Sequence, residues 1–436
     1  MTAPTSDSGA AGPGTGKAGG AADTLGQTIL VRVTGIDGPG ITAGILHILS
    51  DAGAEVLDME QVVVRDRLNL GIFVAVDQER SPLKDLLFFG WQRDIHIDFE
   101  VIDNGTVEPQ RPRFAVIVIG RTLDAGELGA VADAIASVGA NIERIVRLSN
   151  YPVISYELIV VGSDLARLRS SLLQASHDYH VDIAIEREGL ARRAKRLVVV
   201  DMDSTLIRDE VIDLLAAEAG VRDEIAALTS EAMAGDLDFE TALRQRVRLL
   251  AGLDEETLHR VRDRLRLTPG ARTFVRTLKR LGYRVAIVSG GFDLFADYAK
   301  DLLGADSAHA NRLEIVDGRL SGELEGDIID GSAKARLLEE IAAADGISLE
   351  QAVAIGDGAN DIEMLSRAGL GIAFNAKPAL AAAADATLQV PYLDAILFVL
   401  GLKREDIEAE QLSTSVIPKE WDGAEGPPDS LHDAAG

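Results

Sequence analysis

The sequence predicts a mixed chain: two small α+β modules in tandem, then an α/β domain with a parallel sheet and a helical cap. Three observations predict it. The order βαββαβ occurs twice before residue 190, as apolar strands separated by amphipathic helices. Beyond Arg196, short apolar strands alternate with helical stretches, the pattern of parallel strands joined by crossover helices. After the first of those strands, residues 207–267 read as helix throughout, too much for a crossover, and so predict a cap.

Each element has its reason. Residues 1–27 are Gly, Ala, Ser, Thr and Pro with almost nothing to bury, which predicts a disordered tail. In the first module, 28–104, TILVRVTGID is a strand and PGITAGILHILSDAG a helix with Ile41, Ile45, Ile48 and Leu49 on one side. EVLDMEQVVVRD and LNLGIFVAVDQ are strands, SPLKDLLFFGWQRD a helix and IHIDFEVID a strand. The polar joint NGTVEPQRPR leads to the second module, 113–189, where RFAVIVIG, AGELGAVADAIASVG, NIERIVRLSN, VISYELIVVG, DLARLRSSLLQASHDYH and VDIAIERE repeat the order. Both modules are therefore read as ferredoxin-like. In the third segment, 196–402, the strands are RLVVVD, RVAIVSGG, AVAIGDG, LGIAF and ATLQV. From 403 to 436 the chain is acidic and predicts a mobile tail.

Composition narrows the function. Among 436 residues there is no cysteine, which excludes disulfides, thiolate metal sites and cysteine nucleophiles. The seven histidines are scattered, without an HxH or HExxH pair. A net charge of −27 argues against nucleic acid and requires that an anionic ligand meet locally concentrated positive charge. No apolar run is long enough to span a bilayer, and the start of the chain lacks a secretory signal, so the expected location is cytoplasmic.

The chemistry gathers where strands end. RLVVVDMDST buries an apolar strand and then places Asp201 and Asp203 side by side, which costs stability unless a cation or proton offsets the repulsion. Ligands in open α/β sheets bind outside the carboxyl ends of strands. Ser289, Gly290 and Gly291 follow RVAIV, Asp357 follows AVAIG, and Lys334 begins the helix SAKARLLEEIA, so these groups are expected to converge. Three carboxylates, Asp201, Asp203 and Asp357, suit Mg²⁺. One carboxylate serves as nucleophile toward phosphorus and a second, protonated, as donor to a leaving alcohol, while Lys334 and main-chain N–H groups near Ser289 and Gly290 hold phosphoryl oxygens.

DMDST (201–205), VSGG (288–291), Lys334 and GDGAND (356–361) resemble, in order, the four motifs of the haloacid dehalogenase superfamily. With Glu210 and the cap segment EAMAGDLDFETALRQRVRLL, the resemblance extends to the phosphoserine phosphatase family, in its long, actinobacterial-type form. It implies a haloacid dehalogenase-like Rossmannoid sheet, Asp201 as nucleophile and Asp203 as general acid and base. It implies Mg²⁺ on Asp201, the main-chain carbonyl of Asp203, and Asp357. Ser289, Gly290, Lys334 and Asn360 would bind phosphate, with Asp361 steadying Lys334 or the metal's waters. The substrate implied is O-phospho-L-serine, its ammonium paired with Glu210, its carboxylate with Arg246, and water excluded by Met233 and Phe239. TGIDGPG (34–40) resembles the first loop of an ACT domain, which implies an amino-acid effector such as serine at Asp37 and Gly40, and a homodimer or higher homo-oligomer. The second module, VIGRTLDAGEL, lacks the Pro-Gly pair, which points to packing rather than binding. The alternatives are a phosphatase or phosphotransferase for another small phosphomonoester, or a binding protein with a decayed catalytic half, against which the four motifs stand complete.

Overall fold

The computed structural model describes residues 27–77, 81–102, 111–162, 164–234 and 237–413. The tail expected over 1–26 and the part of the acidic tail from 414 onward lie outside the described residues. The chain divides into two units, up to residue 109 and from 110 on.

The first unit runs β1 (Gln27–Ile36), α1 (Ile41–Asp51), β2 (Glu55–Val64), β3 (Arg67–Val76), α2 (Leu83–Arg93) and β4 (Ile95–Ile102). Its antiparallel sheet has the order β2-β3-β1-β4. In β1, Ile29, Val31 and Val33 are buried with Ile41, Ile45 and Leu49 of α1, while Arg32 and Thr34 face outward. That alternation is the sign of a sheet covered on one face only.

The second unit begins with β5 (Arg113–Gly120), α3 (Ala125–Ser137), β6 (Asn141–Ser149), β7 (Ile154–Val161), α4 (Leu165–Tyr179) and β8 (Asp182–Arg187). A short α5 (Leu190–Arg193) leads to β9 (Leu197–Val200), and the cap follows as α6 (Val211–Ala219), α7 (Arg222–Ala234), α8 (Phe239–Leu249) and α9 (Glu255–Arg262). Then come α10 (Ala271–Arg280), β10 (Arg284–Phe292), α11 (Asp293–Leu303), β11 (Ser307–Val316), β12 (Arg319–Glu325), α12 (Gly331–Ala344) and β13 (Ala352–Gly356). The chain closes with α13 (Ile362–Arg367), β14 (Leu370–Phe374), α14 (Pro378–Ala383), β15 (Ala386–Leu388), α15 (Ile396–Val399) and α16 (Arg404–Ser413).

The strands of this unit form one sheet of order β12-β11-β10-β9-β13-β14-β15-β8-β5-β7-β6. From β11 to β15 neighbouring strands are parallel. β9 is central, and its four residues divide between two cores: Leu197 and Val199 face α12 and α13, Val198 and Val200 face α10 and α11. Side chains that alternate across a strand buried on both faces make this run continuously apolar.

Three features differ from the sequence expectation. The second module shares the sheet of the third segment, since β8 pairs antiparallel with β15 at Ala184 and Ala386. The acidic stretch after 402 is not tail throughout, since α16 occupies Arg404–Ser413 with Ile407 buried. The hairpin β11–β12 was not foreseen, although its Asp317–Gly318 turn, both residues at positive φ, is a strong hairpin signal.

Candidate active site

Asp201 directly follows β9, and its N–H donates to the Ile355 carbonyl of β13 (2.9 Å), so the two strands set its place together. The chain then turns tightly over Met202–Leu206, with Ser204 at φ 56°, and brings Asp203 back to the same crevice. Lys334 lies in the first turn of α12, whose N-terminus is capped by Asp330 through the Ala333 N–H (2.7 Å).

Lys334 is completely buried, and its Nζ donates to Asp201 Oδ1 (2.6 Å) and Asp361 Oδ1 (2.7 Å). Burial alone would lower its pKa, but the attraction of Asp201 and Asp361 prevails and raises it. Asp361 Oδ2 also accepts the Gly358 N–H (3.1 Å), which fixes the loop that carries Asp357. Asp201 is pushed well above the usual carboxylate range by burial, opposed by Lys334, with Asp361, Asp357 and Asp203 adding repulsion. Burial, then Asp361 and Glu210, push Asp357 up to about 7.

Carboxylate oxygens of Asp201, Asp357 and Asp361 lie within 4.8 Å of one another. A buried all-oxygen cluster whose negative charge exceeds that of its one lysine fits a hard divalent cation. The Asp203 carboxylate turns elsewhere: Oδ1 accepts the Val211 N–H (2.9 Å) and Oδ2 the Ser289 hydroxyl (3.1 Å). Burial first, and Glu210 next, push it up to about 7, the range in which a carboxyl carries a proton to donate near neutrality.

Ser289 Oγ also accepts the Gly291 N–H (2.9 Å). A β-carbon on Gly291 would stand 2.5 Å from Asp203 Oδ2, so only glycine lets the phosphate loop approach that carboxylate. Asn311, buried on β11, donates from Nδ2 to the Gly290 carbonyl (2.9 Å) and accepts from the Ile329 N–H (2.7 Å), which braces the loop from behind. Asn360 Nδ2 and Phe239 Cζ both stand near Gly290, 3.8 and 3.2 Å from where a β-carbon there would lie.

Asp201, Asp203, Asp357, Asn360 and the Gly290–Gly291 turn line one cavity of about 810 Å³ together with residues of the cap. Glu210, the first cap residue, accepts from Ser204 Oγ (2.7 Å). Arg246 of α8 donates from Nε to the Ala242 carbonyl (3.3 Å), and burial lowers its pKa against the attraction of Glu210 and Asp213. The expected residues Asp201, Asp203, Glu210, Phe239, Arg246, Gly290, Asp357 and Asn360 thus share the cavity wall. Ser289, Lys334 and Asp361 stand behind it, and the side chain of Met233 lies outside the described residues. Asp213, Lys377 and Asn311 were missed. Lys377 follows strand β14, so the strand-end rule that located the others would also have found it.

In the first unit, Asp37 and Gly40 are exposed at the start of α1, which has no side-chain cap. The matching helix α3 is closed by a capping box of Asp124 and Glu127.

Comparison with known proteins agrees with this arrangement. A family model described as haloacid dehalogenase-like hydrolase matches residues 198–366, and two described as ACT domain match 27–100 and 113–186. The fold and site therefore define a haloacid dehalogenase-like hydrolase behind two ACT domains. The phosphoserine phosphatase of Streptomyces coelicolor is 49% identical over 388 residues, 88% of this chain and 94% of that one. The phosphoserine phosphatase SerB2 of Mycobacterium tuberculosis is 45% identical over 390 residues, 88% and 95% of the two chains. A solved structure titled probable phosphoserine phosphatase from Vibrio cholerae shares 33% identity and a TM-score of 0.53, covering 68% of this chain and 88% of its own. The chain belongs to the phosphoserine phosphatase family.

Proposed function

We propose that this enzyme hydrolyses O-phospho-L-serine to L-serine and phosphate through an aspartyl-phosphate on Asp201. One observation carries the reading: Asp201, Asp203 and Asp357 meet in a cavity whose cap residues present two acids, Glu210 and Asp213, and one guanidinium, Arg246. A phosphate beyond which lie an ammonium and a carboxylate matches that array in charge and in order.

Lys334 fixes one oxygen of Asp201 and leaves the other to attack phosphorus. As the new O–P bond forms, the bond from phosphorus to the serine oxygen breaks, and Asp203 gives that oxygen its proton. Water then attacks the acyl-phosphate, Asp203 takes a proton from it, and phosphate departs with Asp201 restored. Ser289, the Gly290 loop, Asn360 and Lys334 stabilise the phosphoryl oxygens, and Phe239 keeps the crevice dry. Asp201, the Asp203 carbonyl and Asp357 would hold Mg²⁺, which supplies the positive charge that lets an anionic substrate approach three carboxylates.

The first ACT domain is read as the sensor, with an effector carboxylate received by the uncapped N-terminus of α1 near Asp37 and Gly40. The capping box of α3 already occupies the corresponding groups in the second. β2 is an edge strand with all ten residues exposed, Val56, Leu57, Met59, Val62, Val63 and Val64 among them, which favours pairing with a second copy. No helix among the described residues is long and apolar enough to cross a membrane, and cytoplasmic residence fits a small-molecule biosynthetic step.

The test is phosphate release from a panel of small phosphomonoesters, with and without Mg²⁺ and with serine titrated in. Phosphoserine should stand out. Arg246→Ala should lower kcat/KM for phosphoserine about 10- to 100-fold, the worth of a charged hydrogen-bond pair. It should scarcely alter phosphoethanolamine, which lacks the carboxylate; equal losses would remove the role given to Arg246.

A further inference from the structure

The chain enters and leaves the cap through two segments that pair with each other. Ile207 bridges Leu267 antiparallel, the Arg208 N–H donates to the Arg266 carbonyl (2.9 Å), and the Thr268 N–H donates to the Leu206 carbonyl (2.9 Å). One side chain locks this ribbon. Asp209 Oδ2 accepts the Arg266 N–H (3.0 Å), while Oδ1 accepts from Arg266 Nε (3.1 Å) and Nη2 (2.5 Å). Although burial works against it, Arg266 holds the Asp209 carboxyl below its ordinary pKa.

Exposure of the pair is uneven: the side chain of Asp209 is 6% exposed and that of Arg266 is 69%. Burial of Asp209 calls for a charge partner, but stability alone does not explain why that partner sits across the hinge. The two residues after Asp209 supply a better reason. Glu210 lines the cavity, and the Val211 N–H donates to the carboxyl of Asp203. A rotation of the ribbon at Asp209 would displace both contacts together. No other hydrogen bond described between the side chains of the two hinge segments ties them at this point.

We propose that Asp209 and Arg266 are positioning residues, a clasp on the cap hinge that registers Glu210 and the Val211 N–H against Asp203. Through it the ammonium site and the proton donor are set by one element, so that the cap closes with both in place. The proposal rests on the phosphoserine reading. A displacement of about 1 Å at such a site is worth up to 100-fold in rate.

The test uses the full chain with Arg266→Ala and Arg266→Lys, each compared on phosphoserine and on p-nitrophenyl phosphate. Nitrophenolate departs without a proton and has no ammonium, so its kcat/KM, which ends at formation of the aspartyl-phosphate and precedes the step in which Asp203 takes a proton from water, depends on Asp201 but on neither contact that the clasp sets. Arg266→Ala should lower kcat/KM for phosphoserine about 10- to 100-fold while kcat/KM for p-nitrophenyl phosphate stays near the unaltered value. Arg266→Lys, which keeps the charge but not the fork, should recover part of the loss. Asp209→Asn, with the main-chain N–H bond retained, serves as the second variant should Arg266→Ala lose its fold by circular dichroism. Equal losses on both substrates, or no loss on phosphoserine, would overturn the clasp. Failure of the substrate reading itself would show separately, as an unaltered enzyme that does not prefer phosphoserine.

Discussion

At the scale of single residues, the chemistry depends on keeping several acids in one small volume. Lys334 neutralises part of that charge, and a bound divalent cation would neutralise more. Since the apo pKa of Asp357 lies at about 7, raised by burial and then by Asp361 and Glu210, a cation must displace a proton there when pH is lower. Mg²⁺ should therefore bind more weakly as pH falls below 7, by up to about tenfold per pH unit for each proton displaced. Calorimetric titration at pH 6 and pH 8, in buffers of different ionisation enthalpy, should show proton release at the lower pH; an affinity independent of pH would contradict it. The residues of this cluster were legible in the sequence because each follows a strand or opens a helix. Their division of labour was less so. The grip of Asp361 on Lys334 was one of the two roles the resemblance implied for it, whereas the turn of Asp203 to Val211 and Ser289 depends on loop geometry that spacing does not encode.

At the scale of elements, the hairpin β11–β12 supports the cap. The Gly252 N–H donates to the Leu320 carbonyl (2.8 Å), the Leu320 N–H to the Leu253 carbonyl (2.9 Å), and Arg248 pairs with Glu323 (3.2 Å). Gly322 sits at φ 92° on this hairpin, where a β-carbon would stand 3.0 Å from Ala251 Cβ. Gly326, at φ 77°, has open space around it. Gly322→Ala should cost about 1–2 kcal/mol for the left-handed backbone plus a further contribution from the clash. Gly326→Ala should carry the backbone part alone. Urea unfolding of the two variants measures the difference, and equal costs would remove the packing role. The cap helices were readable from their period, whereas the hairpin that braces them was passed over in favour of parallel strands. The sequence does distinguish the two ACT domains. β1 alternates apolar and polar residues, but after Arg113 β5 is continuously apolar because its second face, Ile117 and Ile119, packs into the core of the hydrolase.

At the scale of the whole molecule, the second ACT domain and the hydrolase share one sheet, and Asp182 joins the Arg169–Asp385 pair (2.7 Å) in clasping the seam. Asp182 Oδ2, at the start of β8, accepts the N–H groups of Gln389 (2.8 Å) and Val390 (3.2 Å) just beyond β15. Burial raises its pKa to about 6 against the pull of those two N–H groups. Between pH about 4 and 6 the folded chain then holds a proton that the unfolded chain has released. The stability this confers is full below the ordinary carboxylate pKa of 3.8 and lost as pH rises through 6, about 3 kcal/mol in all. Asp182→Asn keeps an acceptor but cannot ionise, so relative to the unaltered chain it should gain up to that amount between pH 4 and pH 7 in denaturant unfolding. A difference that does not change with pH would exclude Asp182 as the source. Three blocks of sequence were easily read, but their fusion was not, because a single pair of alanines, Ala184 and Ala386, carries the strand contact and leaves no compositional trace.

In the proposed mechanism all of the chemistry passes through Asp201, and trapping its acyl-phosphate tests that most directly. Borohydride reduces an acyl-phosphate to an alcohol, so enzyme quenched during phosphoserine turnover and then reduced should carry homoserine in place of aspartate at position 201 by peptide mass mapping. Homoserine at position 203 instead, or no reduced residue under conditions where turnover is rapid, would contradict it.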